Sequence, residues 1–141
     1  MGNQVGRGAD KSDAAFDAVI VGAGFSGLYA LYRLRNDLGL RVRVLEAGSG
    51  VGGTWYWNRY PGCRCDVPSA HYSFSFSKEL DQEWHWTEKC SAQPEIERYL
   101  NHVADRFDLR RDIDLNSRVV SARFDEASQR WEIGTADGKQ L

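Results

Sequence analysis

Gly22, Gly24 and Gly27 stand in the order Gly-x-Gly-x-x-Gly, and an acid, Glu46, follows 19 residues after the last of them. Those residue types at that spacing suit a bound dinucleotide. Gly22 permits a tight turn, Gly24 lets the backbone come close to a pyrophosphate, and Gly27 lets a helix pack closely on a strand. The free N–H groups and the positive dipole end of a helix opening there would face the phosphates. Glu46 could accept hydrogen bonds from both ribose hydroxyls. With no arginine directly after it, it disfavours a 2′-phosphate at this site.

A second stretch is rich in groups that could touch a ligand. Gly52-Gly53-Thr54-Trp55-Tyr56-Trp57-Asn58-Arg59-Tyr60-Pro61-Gly62 runs on through Cys63, Arg64, Cys65 and Asp66 to Val67-Pro68-Ser69. Paired glycines let the backbone run close to a bound group. Three consecutive aromatics could wall a planar ring and keep it dry, or they could be core packing under a long loop. Arg59 and Arg64 could serve anionic groups. A buried Asp66 would need a cation beside it, because an unpaired buried carboxylate is costly. A surface acid or loop cap is the plainer reading.

The elements that must position these residues are legible around them. Residues 16–21, Phe-Asp-Ala-Val-Ile-Val, form an apolar, β-branched run expected as a buried parallel strand. Leu28, Leu31, Leu34 and Leu38 recur at helical spacing, and Gly39 can stop that helix. Residues 41–45 alternate arginine and valine and predict a second strand, closed by Glu46. Strand, glycine turn, helix and strand over 16–46 make a βαβ unit with a right-handed crossover. Residues 48–62 are expected as a loop. Tyr72, Phe74 and Phe76 alternate with serines, which predicts an extended piece with one apolar face. Gln93-Pro94 should open a helix carrying Ile96, Leu100, Val103 and Phe107 on one side. Residues 117–135 read as a β-hairpin with a polar turn at 126–129, and Asp137-Gly138 signals another turn. The fold class expected is α/β, a Rossmann-like βαβ unit with a parallel sheet plus an antiparallel β-hairpin.

Composition bounds the partners. Eighteen Lys and Arg against twenty Asp and Glu leave a net charge of -2, which argues against a nucleic-acid surface. No apolar run approaches the roughly 20 residues that cross a bilayer, so no membrane partner is expected. Residues 1–15 are small and polar and are expected as a disordered tail. Three cysteines with no export signal favour reduced thiols in the cytoplasm. Cys63-x-Cys65 with His71 matches no standard zinc spacing, so no metal is expected. His71, His85 and His102 belong to no motif, and His102 should lie on the polar side of its helix. The sequence stops just after a turn signal, where a pairing strand would follow, so a truncated chain is expected.

Gly22-Ala23-Gly24-Phe25-Ser26-Gly27-Leu28-Tyr29-Ala30, the Trp-Tyr-Trp-Asn-Arg-Tyr-Pro-Gly run over 55–62 and Cys65-Asp66 carry a family likeness. So do Gln82-Glu83-Trp84-x-Trp86, Gln93-Pro94-Glu95-Ile96 and residues 103–109. Over about residues 16–133 the chain resembles the N-terminal part of Baeyer–Villiger monooxygenases, flavoproteins with two dinucleotide-binding domains.

The resemblance implies FAD and NADPH as cofactors, and a ketone and O2 as substrates. It makes residues 16–141 the N-terminal part of an FAD-binding domain. It implies the pyrophosphate over Gly22, Gly24, Ser26 and Gly27, and the adenosine ribose on Glu46. Gly53, Thr54 and Trp55 would contact the cofactor, with Trp55, Asp66 and Tyr72 near its flavin end. The backbone at Val119 would touch the adenine, and Arg64, Cys65 and Asp66 would border the nicotinamide side. The implied reaction turns a ketone into an ester or lactone through a C4a-peroxyflavin. Asp66 would pair with a catalytic arginine beyond Leu141, where the NADPH fingerprint and the family signature are also expected. A fragment lacking these is expected to be inactive alone. Rivals are a related flavin monooxygenase acting on nitrogen or sulfur, and a non-catalytic FAD-binding module. A flavin disulfide reductase is disfavoured, because no redox cysteine pair follows the first helix.

Overall fold

The computed structural model describes residues 15–141, so all but the last residue of the expected tail lies outside the described residues. The predicted βαβ unit is present. Strand β1 (Ala18–Val21) leads into helix α1 (Phe25–Tyr32), and β2 (Val42–Leu45) returns parallel to β1, with Ala18 opposite Val42 and Val21 opposite Leu45. A third strand, β3 (Ile113–Asp114), adds to β2 in parallel, giving the order β1-β2-β3. Sequence alone did not reveal β3. Two residues are too short to show a period, and the strand is held by ladder partners far away in sequence.

Three α-helices and a short 3-10 turn over Arg110–Asp112 fill the excursion between β2 and β3. The α-helices are α2 (Thr54–Trp57), α3 (Lys78–Glu83) and α4 (Gln93–Arg106). The four residues of α2 correct the expectation of a pure loop over 48–62. The turn closes because Tyr56 and Trp57 N–H groups both reach back to the Gly53 carbonyl. Helix α3 starts at Ser77, whose Oγ accepts from the Leu80 N–H at 3.2 Å. Helix α4 runs as predicted, with Pro94 in its first turn and Ile96, Leu100 and Val103 almost fully buried.

The leucine repeat is only half correct. Leu28 and Leu31 are fully buried, but Leu38 is 64% exposed. A π turn over Arg33–Asp37 widens the helix and shifts its phase, so Leu38 leaves the core face. Arg35 fixes that turn to the end of α4 by donating to the carbonyls of Phe107 and Asp108 and to Asp112. Gly39, at φ +67°, then reverses the chain as expected.

Two further expectations need correction. Strand β1 is half-buried rather than buried, and Val21 is 65% exposed, because β1 has a neighbour on one side only among the described residues. Residues 72–76 form no strand. Their rings nevertheless share one side, as predicted, packing on Phe25, Tyr32, Tyr99 and Phe107. Side-chain packing holds this segment, which has no ladder partner among the described residues. The hairpin is as predicted, with β4 (Val119–Asp125) antiparallel to β5 (Arg130–Thr135). Asp137-Gly138 turns the chain so that Ile133 and Leu141 exchange backbone hydrogen bonds at 2.9 and 3.0 Å.

Candidate functional site

The candidate site lies at the carboxyl ends of the parallel strands, where open α/β sheets bind their ligands. Gly22 leaves β1 at φ +97°, while its N–H still donates to the Leu45 carbonyl. A Cβ on Gly27 would sit 1.9 Å from the Gly22 carbonyl oxygen, so only glycine lets α1 start this close to β1. Gly24 caps α1 with no side-chain hydrogen bond, and Ser26 is exposed in the first turn. The first N–H groups of α1 therefore point outward as a ready anion site.

A second glycine turn closes on the first. The Gly52 N–H donates to the Ala23 carbonyl at 2.9 Å, and Gly53 sits at φ +56°. A Cβ on Gly53 would meet the Gly24 Cα at 2.8 Å. The two loops thus form one surface of bare backbone. Glu46 stands behind it, 3% exposed, its carboxylate accepting from the Ala23 and Gly48 N–H groups at 2.7 Å each. A carboxylate has about four acceptor positions, so two such bonds leave capacity for ribose hydroxyls. The Ser117 N–H donates to the Glu46 carbonyl, which brings the start of β4 at Val119 towards the same end of the sheet.

On the other side, α2 carries exposed Thr54 and buried Trp55 away from Gly53. The Trp55 indole N–H donates to the Tyr72 hydroxyl at 3.2 Å, and the two rings meet edge to face at 5.7 Å. Tyr72 in turn packs edge to face on Phe25 at 4.8 Å, beside the first glycine turn. Gly22, Gly24, Ser26, Gly27, Glu46, Gly53, Thr54, Trp55 and Tyr72 therefore lie on two glycine turns in contact and on the elements that lead from them.

The remaining candidates are arranged differently. Asp66 is exposed, which removes the premise of a buried acid needing a cation. Its side chain takes no hydrogen bond or ion pair among the described residues. Arg64 turns to the Glu88 carboxylate at 2.9 Å and to the Cys90 carbonyl, and Glu88 holds its guanidinium still more firmly protonated. Arg59 pairs with Glu97 at 2.5 Å. Each arginine thus has a carboxylate partner while its side chain stays about half exposed. Cys65 is buried, and its N–H donates to the Ser91 carbonyl. Cys63, Cys65 and Cys90 are all free thiols. His102 is half-buried rather than on the surface, with its ring 5.4 Å from Trp84.

Two residues of the site were missed. Phe25 stands within the glycine motif, where the spacing gives it no role of its own. Gln93 was read only as a helix start, yet its buried amide donates to the Trp55 carbonyl and, at 2.8 Å, to Glu97. The i,i+4 spacing of Gln93 and Glu97 was the available signal.

This geometry defines a Rossmann-like dinucleotide-binding unit, and residues 20–85 match the NAD(P)-binding Rossmann-like domain family. The chain is 48% identical over 128 residues to a Baeyer–Villiger monooxygenase of Pseudooceanicola batsensis, a match covering 91% of this chain and 24% of that protein. It is 47% identical over 130 residues to a phenazine N-monooxygenase of Lysobacter antibioticus, covering 92% and 24%. Among solved structures, an oxidised steroid monooxygenase bound to NADP superposes with a TM-score of 0.86 at 62% identity, covering 89% and 24%. In sequence and fold the chain is similar to the N-terminal part of Baeyer–Villiger monooxygenases. It spans about a quarter of the length of the curated relatives it matches.

Proposed function

We propose that the natural protein is an FAD- and NADPH-dependent Baeyer–Villiger monooxygenase that converts a ketone to an ester or lactone. In this reading residues 16–141 supply the N-terminal part of its FAD-binding domain. The observation that carries it is the closed contact of the two glycine turns at Gly24 and Gly53. It lies next to a buried Glu46 and an aromatic wall, in a chain 48% identical to a Baeyer–Villiger monooxygenase.

The residues present fit FAD. Gly27 and Gly53 let backbone meet backbone at Gly22 and Gly24, and the bare surface so formed is suited to a pyrophosphate, with the α1 N-terminus adding its dipole. Glu46 is held in place by two backbone donors, so its remaining lone pairs have a fixed direction towards ribose hydroxyls. When bound, FAD would supply the redox chemistry for oxygen insertion beside the carbonyl, and the protein would orient it and exclude water. Trp55, Tyr72 and Phe25 form the dry side of the site. The Trp55 indole N–H is already engaged by the Tyr72 hydroxyl, so the donor this wall can still offer is the Tyr72 O–H. Asp66 acts from the rim, where its exposed and uncommitted carboxylate can receive a cationic side chain from the rest of the protein.

A ketone and O2 are the substrates in this reading. The free thiols and the absence of any helix long and apolar enough to cross a membrane, among the described residues, fit a cytoplasmic enzyme. A second reading, oxygenation of an aromatic nitrogen, is favoured by the nearly equal similarity to a phenazine N-monooxygenase. The test is to purify the full natural polypeptide and measure bound flavin and NADPH oxidation with and without added ketones. Stoichiometric FAD with ketone-dependent ester formation supports the proposal. N-oxide formation from phenazines without any ester supports the second reading.

A further inference from the structure

We infer that Gln93 is a positioning residue for the flavin end of the site, acting through Trp55; the inference rests on the FAD reading above. Trp55 belongs to a four-residue helix, too short to hold its own direction by helical hydrogen bonding. Its ring is 6% exposed, and the carbonyl of the same residue is taken by the side chain of Gln93, itself 6% exposed. The other hydrogen of that amide goes to Glu97 at 2.8 Å, and Glu97 pairs with Arg59 at 2.5 Å, two residues beyond the end of α2. Arg59 closes the circuit by donating to the Tyr56 carbonyl at 2.8 Å.

The first two turns of α4 thus grip α2 at two points, the carbonyls of residues 55 and 56. Gln93 also fastens the neighbouring loop, because its backbone N–H donates to the Cys63 carbonyl at 2.9 Å. The amide is the one side-chain chemistry suited to this place. It offers two donors from a neutral group, one for a backbone carbonyl and one for a carboxylate. A glutamate would set a negative charge against both acceptors. A methionine would keep the volume and leave the Trp55 carbonyl unpaired in a buried setting. The α2–α4 clamp therefore sets the tilt of Trp55 and, through the indole N–H, the position of Tyr72.

The test uses the full natural polypeptide with FAD as the probe. Wild type, Gln93→Met and Glu97→Gln are compared by FAD dissociation constant, visible circular dichroism of the bound flavin, and thermal midpoint. Gln93→Met is expected to weaken FAD binding about tenfold, the effect of one lost buried hydrogen bond, and to change the flavin dichroism. Glu97→Gln keeps an acceptor for Gln93 but loses the charge that holds Arg59, so about a threefold weakening is expected. A Gln93→Met protein with a lower thermal midpoint but wild-type FAD affinity and dichroism would show a merely structural role and overturn the inference. If Gln93→Met does not fold, Glu97→Gln decides, and unchanged affinity and dichroism overturn it. Failure of the wild type to hold FAD would instead overturn the FAD reading, and this inference with it.

Discussion

Gly53 lies so close to Gly24 that a Cβ added to Gly53 would stand 2.8 Å from the Gly24 Cα, backbone against backbone. Two glycine turns from distant parts of the chain are thereby joined at the end of the parallel sheet. Gly53→Ala is expected to destabilise the protein by about 2–4 kcal/mol, since the clash adds to the strain of a positive φ. Gly39→Asn is the control. Gly39 also has a positive φ but open space around it, and asparagine adopts that conformation readily. Chemical denaturation of both variants checks this; equal effects would show that conformation rather than contact matters at Gly53.

Glu46→Gln places an amide N–H₂ against the N–H of either Ala23 or Gly48, since both now donate to the carboxylate. The buried mismatch is expected to cost about 1–3 kcal/mol. A fall in the urea midpoint with an unchanged slope is the readout. An unaltered midpoint would mean that the two short bonds contribute nothing net.

Asp66→Ala should leave stability within about 0.5 kcal/mol of wild type, because the carboxylate is exposed and unpaired among the described residues. If the natural protein is the proposed monooxygenase and Asp66 receives a cationic group there, the same change is expected to lower ester formation about 10- to 100-fold. Thermal melting and product analysis check the two halves separately. Wild-type turnover would remove Asp66 from the site.

Tyr99 is buried among Trp84, Trp86 and Phe74, and burial pushes its hydroxyl up to about 12. A folded value above the unfolded one, near 10, means that the native state holds its proton more tightly. The resulting stability is fully present below pH 10 and is lost as the pH rises from about 10 to 12. Tyr99→Phe should flatten that alkaline limb and forfeit the bond from the Phe74 N–H. Stability measured from pH 8 to 12 provides the check; a wild-type curve with no alkaline limb would contradict it.

The βαβ unit was legible because every local signal agreed: a β-branched run, three glycines at fixed offsets, a leucine repeat and an acid at the strand end. Gly22, Gly27 and Glu46 stand where those signals put them. The signals failed where tertiary contacts decide. Leu38 fits the repeat, but the π turn over Arg33–Asp37, pinned by Arg35 to the far end of α4, takes it out of phase. Strand β3 exists only because β2 offers it a ladder. The charge of Arg59 and Arg64 was visible, but their partners Glu97 and Glu88 lie 38 and 24 residues away, beyond the reach of spacing arguments. For Asp66 the aromatic neighbours leave both a buried, paired acid and a plain surface acid open, and the chain turns it to solvent.

In the proposed function, oxygen is inserted beside a carbonyl at a site whose floor this chain would supply. The most direct test supplies the full natural polypeptide with NADPH, a ketone and isotopically labelled O2, and follows the label by mass spectrometry. The expected product is an ester or lactone carrying one labelled oxygen per NADPH consumed. NADPH oxidation with FAD bound but no labelled ester from any ketone class would contradict the account.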